Sequence, residues 1–269
     1  PHLALPIRFP HQQAHLGPHH QPGQRHAYDR EEQADPVQRH HRAAVDGEDQ
    51  RLDDGAEIAA DLAALQDRMA MFPEAEARKE IEDSLGRPIE DLFTRFDAPI
   101  AAASIAQVHP AEVMTEAGRK KVAVKVIRPG VRKRFRKDLD TFYLVAEMQE
   151  RYVPATRRLR PVEVTRTLEQ TTKVEMDLRL EAAALSEMAE NTKDDPGFRV
   201  PSVDWERTGR DCVTMEWIDG IKMGDVAGLK AAGFDLEALA ETLIQSFLRH
   251  TLRDGFFHAD MHQGNLFVD

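Results

Sequence analysis

The run "VAVKVIRPG" (residues 122–130) sets a lysine inside what otherwise reads as a buried β-strand. β-Branched residues fill it and Pro-Gly closes it, the pattern of a strand ended by a tight turn. An ammonium group on such a strand is costly to bury unless an anion meets it. Lys125 is therefore either an edge-strand lysine that snorkels to water or one that meets a carboxylate. The second reading constrains the fold sharply, because another element must carry that carboxylate across to the strand.

Three other stretches could complete such a site. In "KVEMDLRLEAAA", Glu175, Asp177 and Glu181 lie on a predicted helix; they read as a solvated face or as the source of the missing carboxylate. In "APIAAASIAQVHPAEV", small residues permit close backbone approach, so the amides of such a turn can cradle phosphates. Tight structural packing explains the same composition. In the closing "FFHADMHQGNLFVD", His258, Asp260 and His262 alternate, and in an extended segment alternate side chains share a face and could converge on a cation. A polar turn between two apolar runs is the simpler reading. The order of these features is nonetheless specific: small-residue loop, strand lysine, helix glutamate, "MEWIDG", then Asp260 with Asn265 five residues later. Phosphotransfer needs an ammonium on the phosphates, a carboxylate near the attacking group and an amide oxygen on the metal. Protein-kinase-like folds supply them in this order.

Around these motifs the pattern is α+β in two layers or lobes. "EIAADLAALQDRM" and "EAEARKEIEDSLG" read as amphipathic helices, the second ended by Gly86. "PIEDLFTRF" makes a short third element, and residues 161–191 read as one long helical region. "DCVTMEWIDG" is a strand entering a turn, and "LEALAETLIQSFLRHTLRDG" a strongly amphipathic helix stopped by Gly255. The 269 residues carry 36 basic and 47 acidic side chains, a net charge of −11, which argues against nucleic acid as a bulk partner. A single cysteine, Cys212, excludes an intramolecular disulfide and fits a reducing compartment. No apolar run is long enough to span a bilayer. The basic cluster "RKRFRK" reads as a solvated helix start rather than a membrane or phosphate contact. Residues 1–54 hold eight of the twelve histidines and lack apolar periodicity, so no ordered structure is expected there.

Taken together, the chain resembles the ABC1/UbiB/ADCK atypical kinase-like proteins linked to ubiquinone biosynthesis, from about Gly55 to Asp269. "AAASIAQVH" is similar to that family's Ala-rich loop, "VAVKVIRPGV" to its lysine strand, "EMDLRLEA" to its E-x-D motif and helix glutamate, "MEWIDG" to its hinge and "FFHADMHQGNLFV" to its catalytic loop. The resemblance implies a protein-kinase-like two-lobe fold: an N-terminal helical extension over 55–97, an N-lobe over 98–217 with an inserted helical region, and a partial C-lobe over 218–269. It further implies that Lys125 binds α/β-phosphates and pairs with Glu181. Glu175 and Asp177 become the E-x-D carboxylates, Asp260 the catalytic-loop aspartate and Asn265 a magnesium ligand. The backbone of Ala101, Ala102, Ala103 and Ser104 would cover the phosphates of ATP or ADP, and Met215, Glu216 and Trp217 would line the adenine side. A cytoplasmic, membrane-associated full-length protein acting as kinase or ATPase, with lipid or quinone precursors as further partners, is the implied setting.

The chain departs from the family pattern in places. Met261 and Gln263 stand where the family loop has prolines. The K-x-G-Q motif expected shortly before "EIAADLAALQD" is missing; with the compositional bias of residues 1–54, this suggests a shifted, GC-rich frame. The D-F-G aspartate is expected beyond Asp269, so the chain reads as an incomplete kinase-like domain. A metal-dependent hydrolase using His258, Asp260 and His262 is one alternative, and a non-catalytic nucleotide- or lipid-binding pseudokinase module is another. The aminoglycoside-phosphotransferase type shares the H-x-D-x-x-x-x-N loop, but the E-x-D helix and Ala-rich loop argue against it.

Overall fold

A computed structural model of the chain describes residues 3–4 and 70–269, with Asp260 and His262 excepted. The chain divides into two units, one of Pro1–Ala14 with Ala70–Asp269, the other of His15–Met69. The second unit, and with it the helix expected at "EIAADLAALQDRM", lies outside the described residues. Almost all of residues 1–54 does too, but β1 (Leu3–Ala4) pairs in parallel with β6 (Phe198–Arg199) and antiparallel with β9 (Phe267–Val268). Those two residues depart from the lack of order expected there.

The first helix among the described residues, α1 (Glu74–Leu85), ends at Gly86, whose φ of 67° is the left-handed conformation a C-cap needs. A one-turn helix α2 (Ile89–Leu92) follows. β2 (Arg95–Phe96), β3 (Ala101–Ala102), β4 (Ala106–Thr115), β5 (Gly118–Ile127) and β7 (Cys212–Glu216) form one antiparallel sheet in the order β2–β4–β5–β7, with β3 also pairing β4. β5 is a central strand, which removes the edge-strand reading of Lys125. Its side chains alternate between two cores. Val122, Val124 and Val126 join Ala77 and Ile81 of α1, Ile89 and Leu92 of α2 and Cys212 in one cluster. Ala123 and Ile127 face the other way, into a cluster with Leu178, Ala182 and Leu185. Lys125 shares the parity of Ala123 and Ile127.

The first core contains a buried polar triad that sequence periodicity could not reveal. Phe72 N donates to Gln107 Oε1 at 3.0 Å, while Gln107 Nε2 donates to Phe72 O at 3.2 Å and to His109 Nε2 at 2.8 Å. His109 Nδ1 then donates to Asp97 O at 2.8 Å. Every partner is satisfied only by the neutral imidazole with its proton on Nδ1; a proton on Nε2 would point at the Gln107 amide hydrogens. Burial accordingly pulls the His109 pKa below its ordinary value near 6.5. A base whose pKa is lower folded than unfolded binds more protons when unfolded, so its contribution is complete above about pH 6.5 and is lost as pH falls below that. Unfolding midpoints measured from pH 7.5 to pH 5 should fall, and His109→Leu should flatten that slope whatever it does to the baseline.

The α-helical part differs from expectation. After Pro129-Gly130 the chain forms α3 (Val131–Tyr152), a 22-residue helix, and then a 3₁₀ turn. The region expected as one helix from 161 to 191 is two: α4 (Pro161–Glu175) and α5 (Leu178–Thr192). Asp177 breaks it, with φ −114° and ψ 95°, and caps α5 by accepting a hydrogen bond from Arg179 N. β8 (Ile221–Lys222) pairs β9, completing a second sheet ordered β6–β1–β9–β8. α6 (Val226–Ala231) and α7 (Leu236–Arg249) follow. α7 is N-capped by Asp235 and continues as a π-turn, His250–Asp254, which Gly255 stops at φ 63°. No helix among the described residues is long and apolar enough to cross a membrane.

Candidate functional site

The site is organised by the register of the main sheet. Ala101 lies opposite Val108, Val108 opposite Lys125, and Lys125 opposite Val213, so all four side chains stand on one face. Ala123 opposite Met215 extends that face by one row. α5 packs against it through Leu178, Ala182 and Leu185, and the same packing brings Glu181 over the sheet. Lys125 Nζ donates to Glu181 Oε1 at 2.7 Å and Oε2 at 2.6 Å, with the two residues only 8 % and 6 % exposed. Fifty-six positions separate them in the chain. An ion pair this enclosed keeps its Coulombic strength and is expensive to break, because the surviving charge is stranded.

Above this pair the Ala-rich loop is a tight turn between β3 and β4. Ala103 N donates to Ala106 O at 2.8 Å, and Ser104 at the tip is exposed. A residue that sequence reading passed over, Arg128, holds this turn from below. Its backbone N donates to Ile105 O at 2.7 Å and its guanidinium to Ala103 O at 3.4 Å and Ala70 O at 2.9 Å. The available signal was its place directly after the lysine strand.

At the far end of β7, Met215 is buried, and the Lys121 ammonium lies 3.8 Å from the Trp217 ring centroid. Glu216 accepts from Arg199 Nη1 at 3.0 Å and from Ser202 Oγ at 3.2 Å, and Arg199 also pairs with Asp269. The three hinge candidates thus sit at the junction between the two sheets.

Asp177 is engaged as a cap and by the Arg179 guanidinium, which together hold its carboxyl below the usual carboxylate range. Glu175 ends α4 and is half-buried, two residues from Asp177 but on the other side of the helix break. Neither touches Lys125: the ion pair takes Glu181 alone of the three carboxylates.

Of the closing loop, His258 is buried and Asn265, also buried, lies in a 3₁₀ turn, Gln263–Asn265, that leads into β9. Asp260 and His262 lie outside the described residues. Among the described residues no group of three or more His, Cys, Asp or Glu could hold a metal ion. Asn265 supplies a hard oxygen donor of the kind magnesium takes, and magnesium characteristically completes its shell with one or two carboxylates, substrate phosphates and water. Cys212 is inert: burial pushes its thiol up to about 11.

Residues 64–269 match the model of a family described as the ABC1 atypical kinase-like domain. The chain is 44 % identical over 214 residues to a protein named "Probable protein kinase UbiB" from Marinobacter nauticus, covering 79 % of this chain and 39 % of that protein. Proteins of the same name from Vibrio cholerae serotype O1 and Cronobacter sakazakii are 43 % and 44 % identical over 213 residues, again with 39 % of each covered. This chain therefore spans about two fifths of the length of these curated relatives.

Proposed function

The chain belongs to the ABC1 atypical kinase-like family, and from that premise we propose that the whole protein binds ATP or ADP with magnesium and acts as an atypical kinase or ATPase supporting ubiquinone synthesis. The observation that carries the nucleotide reading is the buried Lys125–Glu181 ion pair on the sheet face shared with Ala101, Val108 and Met215. A lysine fixed by a glutamate presents its remaining N–H toward a phosphate without searching rotamers, which is how such a pair lowers the cost of ordering.

In this reading Lys125 meets the α/β-phosphates and Glu181 orients it. The backbone of Ala101, Ala102, Ala103 and Ser104 covers the phosphates, while Met215, Glu216 and Trp217 line the adenine side. Glu175 and Asp177 serve as the E-x-D carboxylates, and Asp177 does so while capping α5. Asp260 accepts the proton of the attacking hydroxyl or water, as a carboxylate within hydrogen-bond reach can. Asn265 would hold magnesium, which when bound neutralises developing charge on the phosphates. The division into a helical extension at 55–97, an N-lobe at 98–217 and a partial C-lobe at 218–269 belongs to the same proposal. So do lipid or quinone precursors as partners and a cytoplasmic, membrane-associated location of the full-length protein.

Differential stabilisation of the full-length protein tests the ligand class. Saturating MgATP or MgADP should raise the unfolding midpoint by several degrees, since ligand at 100 times Kd adds about 2.7 kcal/mol. Zinc alone should not. Stabilisation by zinc and none by magnesium nucleotide would favour a His258–Asp260–His262 metallohydrolase instead.

A further inference from the structure

We propose that Arg132 is a positioning residue that holds Glu181 against Lys125 by locking one corner of the fold; the inference rests on the nucleotide-binding reading above. The corner is the dipeptide Arg210–Asp211, just before β7. Asp211 O accepts from Ile127 N at 2.8 Å, and Arg210 O accepts from Leu178 N at 3.0 Å. Ile127 lies two residues beyond Lys125 on the same strand face, and Leu178 lies three residues before Glu181 in the first turn of α5. The strand of Lys125 and the helix of Glu181 therefore hang from adjacent carbonyls of one dipeptide.

Arg132 closes this arrangement from the first turn of α3. Its guanidinium donates to the Asp211 carboxylate and to Met176 O, the carbonyl at the break between α4 and α5. Carbonyls at helix ends lack intrahelical partners, and a cation there satisfies both the hydrogen bond and the end charge. Asp211 N in turn donates to Ser84 Oγ of α1 at 3.1 Å. Arg132 thus reaches both the sheet-side loop and the break that sets the start of α5. It also offsets a local excess of negative charge: burial and the Asp211 carboxylate hold the Glu80 carboxyl above its usual range, and Arg132 opposes them. The rest of the basic cluster behaves differently, since Lys133, Arg134, Arg136 and Lys137 are exposed. The solvated helix start expected there holds for those four and not for Arg132.

Arg132 acts through Glu181, and a double-mutant cycle separates that from simple support of the fold. MgADP affinity is measured calorimetrically on the full-length wild type, Arg132→Lys, Glu181→Gln and the double variant, with nucleotide-free unfolding midpoints recorded for each. Arg132→Lys keeps the charge and loses the two-point contact; it should weaken MgADP on the order of fivefold. In the Glu181→Gln background the same change should have no further effect on affinity. Asp211→Asn, read in the same cycle, should reproduce this pattern and serves if Arg132→Lys does not fold. Unchanged affinity with a lowered midpoint, or losses that add in the double variant, would overturn the positioning role while leaving nucleotide binding intact. A wild type that binds no MgADP would overturn the functional reading, and this inference with it.

Discussion

Glu181→Ala should cost the fold about 3–5 kcal/mol, the range for removing one partner of a buried ion pair. The reason lies in what remains. Lys125 stays on the central strand, flanked by Val124 and Val126 and 8 % exposed, with its two short hydrogen bonds gone. The ammonium must then be buried uncompensated or drag the strand toward water. Urea unfolding of the nucleotide-free protein reads the loss directly. The double variant Lys125→Met with Glu181→Leu should recover most of it, because apolar residues of similar volume commonly match or exceed a buried pair in stability. A recovered fold that no longer binds nucleotide would mean that the pair is kept for function rather than for stability. A Glu181→Ala protein as stable as wild type would mean that water reaches Lys125.

The second large effect concerns turnover. Asp260→Asn in the full-length protein should lower ATP turnover by about 10²–10⁴-fold, the contribution of a positioned general base. The amide is nearly isosteric but cannot accept a proton from an attacking hydroxyl or water. MgATP affinity should stay within a few-fold of wild type, since the phosphates are met by Lys125 and the loop backbone. A kcat loss with unchanged affinity identifies an enzyme. If the wild type binds nucleotide without turning it over, and Asp260→Asn changes nothing, the protein is a nucleotide-sensing module.

How much of this was legible in the sequence follows from which signals are local. The strand at Lys125 was readable because β-branched residues and a closing Pro-Gly are local features. Whether the lysine on it meets a carboxylate or snorkels from a sheet edge was open until the sheet order placed β5 between β4 and β7. The stop of α1 at Gly86 and of the α7 segment at Gly255 were readable for the same reason: each glycine adopts the left-handed conformation the helix end requires.

The break at Asp177 was hidden, because Leu168, Leu178, Leu180 and Leu185 keep apolar residues recurring across the boundary and a 3.6-residue period cannot register a change of axis. The one local clue was an aspartate able to cap, in "MDLRLE". α3 was missed as a long helix because it buries little: Leu139 and Ala146 are its buried residues, and its outer side is exposed. The Gln107–His109 triad and the Arg132 latch join residues 35 and 79 positions apart, and no periodicity links such pairs. The sequence named the residue types the site needed. Only the sheet register and the packing of α5 bring Lys125 and Glu181 to 2.6 Å.

Contact between the Lys125 ammonium and a nucleotide phosphate is read by calorimetric titration of MgATP into full-length wild type and Lys125→Met. Wild type should bind saturably and Lys125→Met should lose at least about tenfold in affinity, consistent with a charge-assisted hydrogen bond to phosphate worth roughly 1.5–3 kcal/mol. Equal MgATP affinity in the two folded proteins would contradict it.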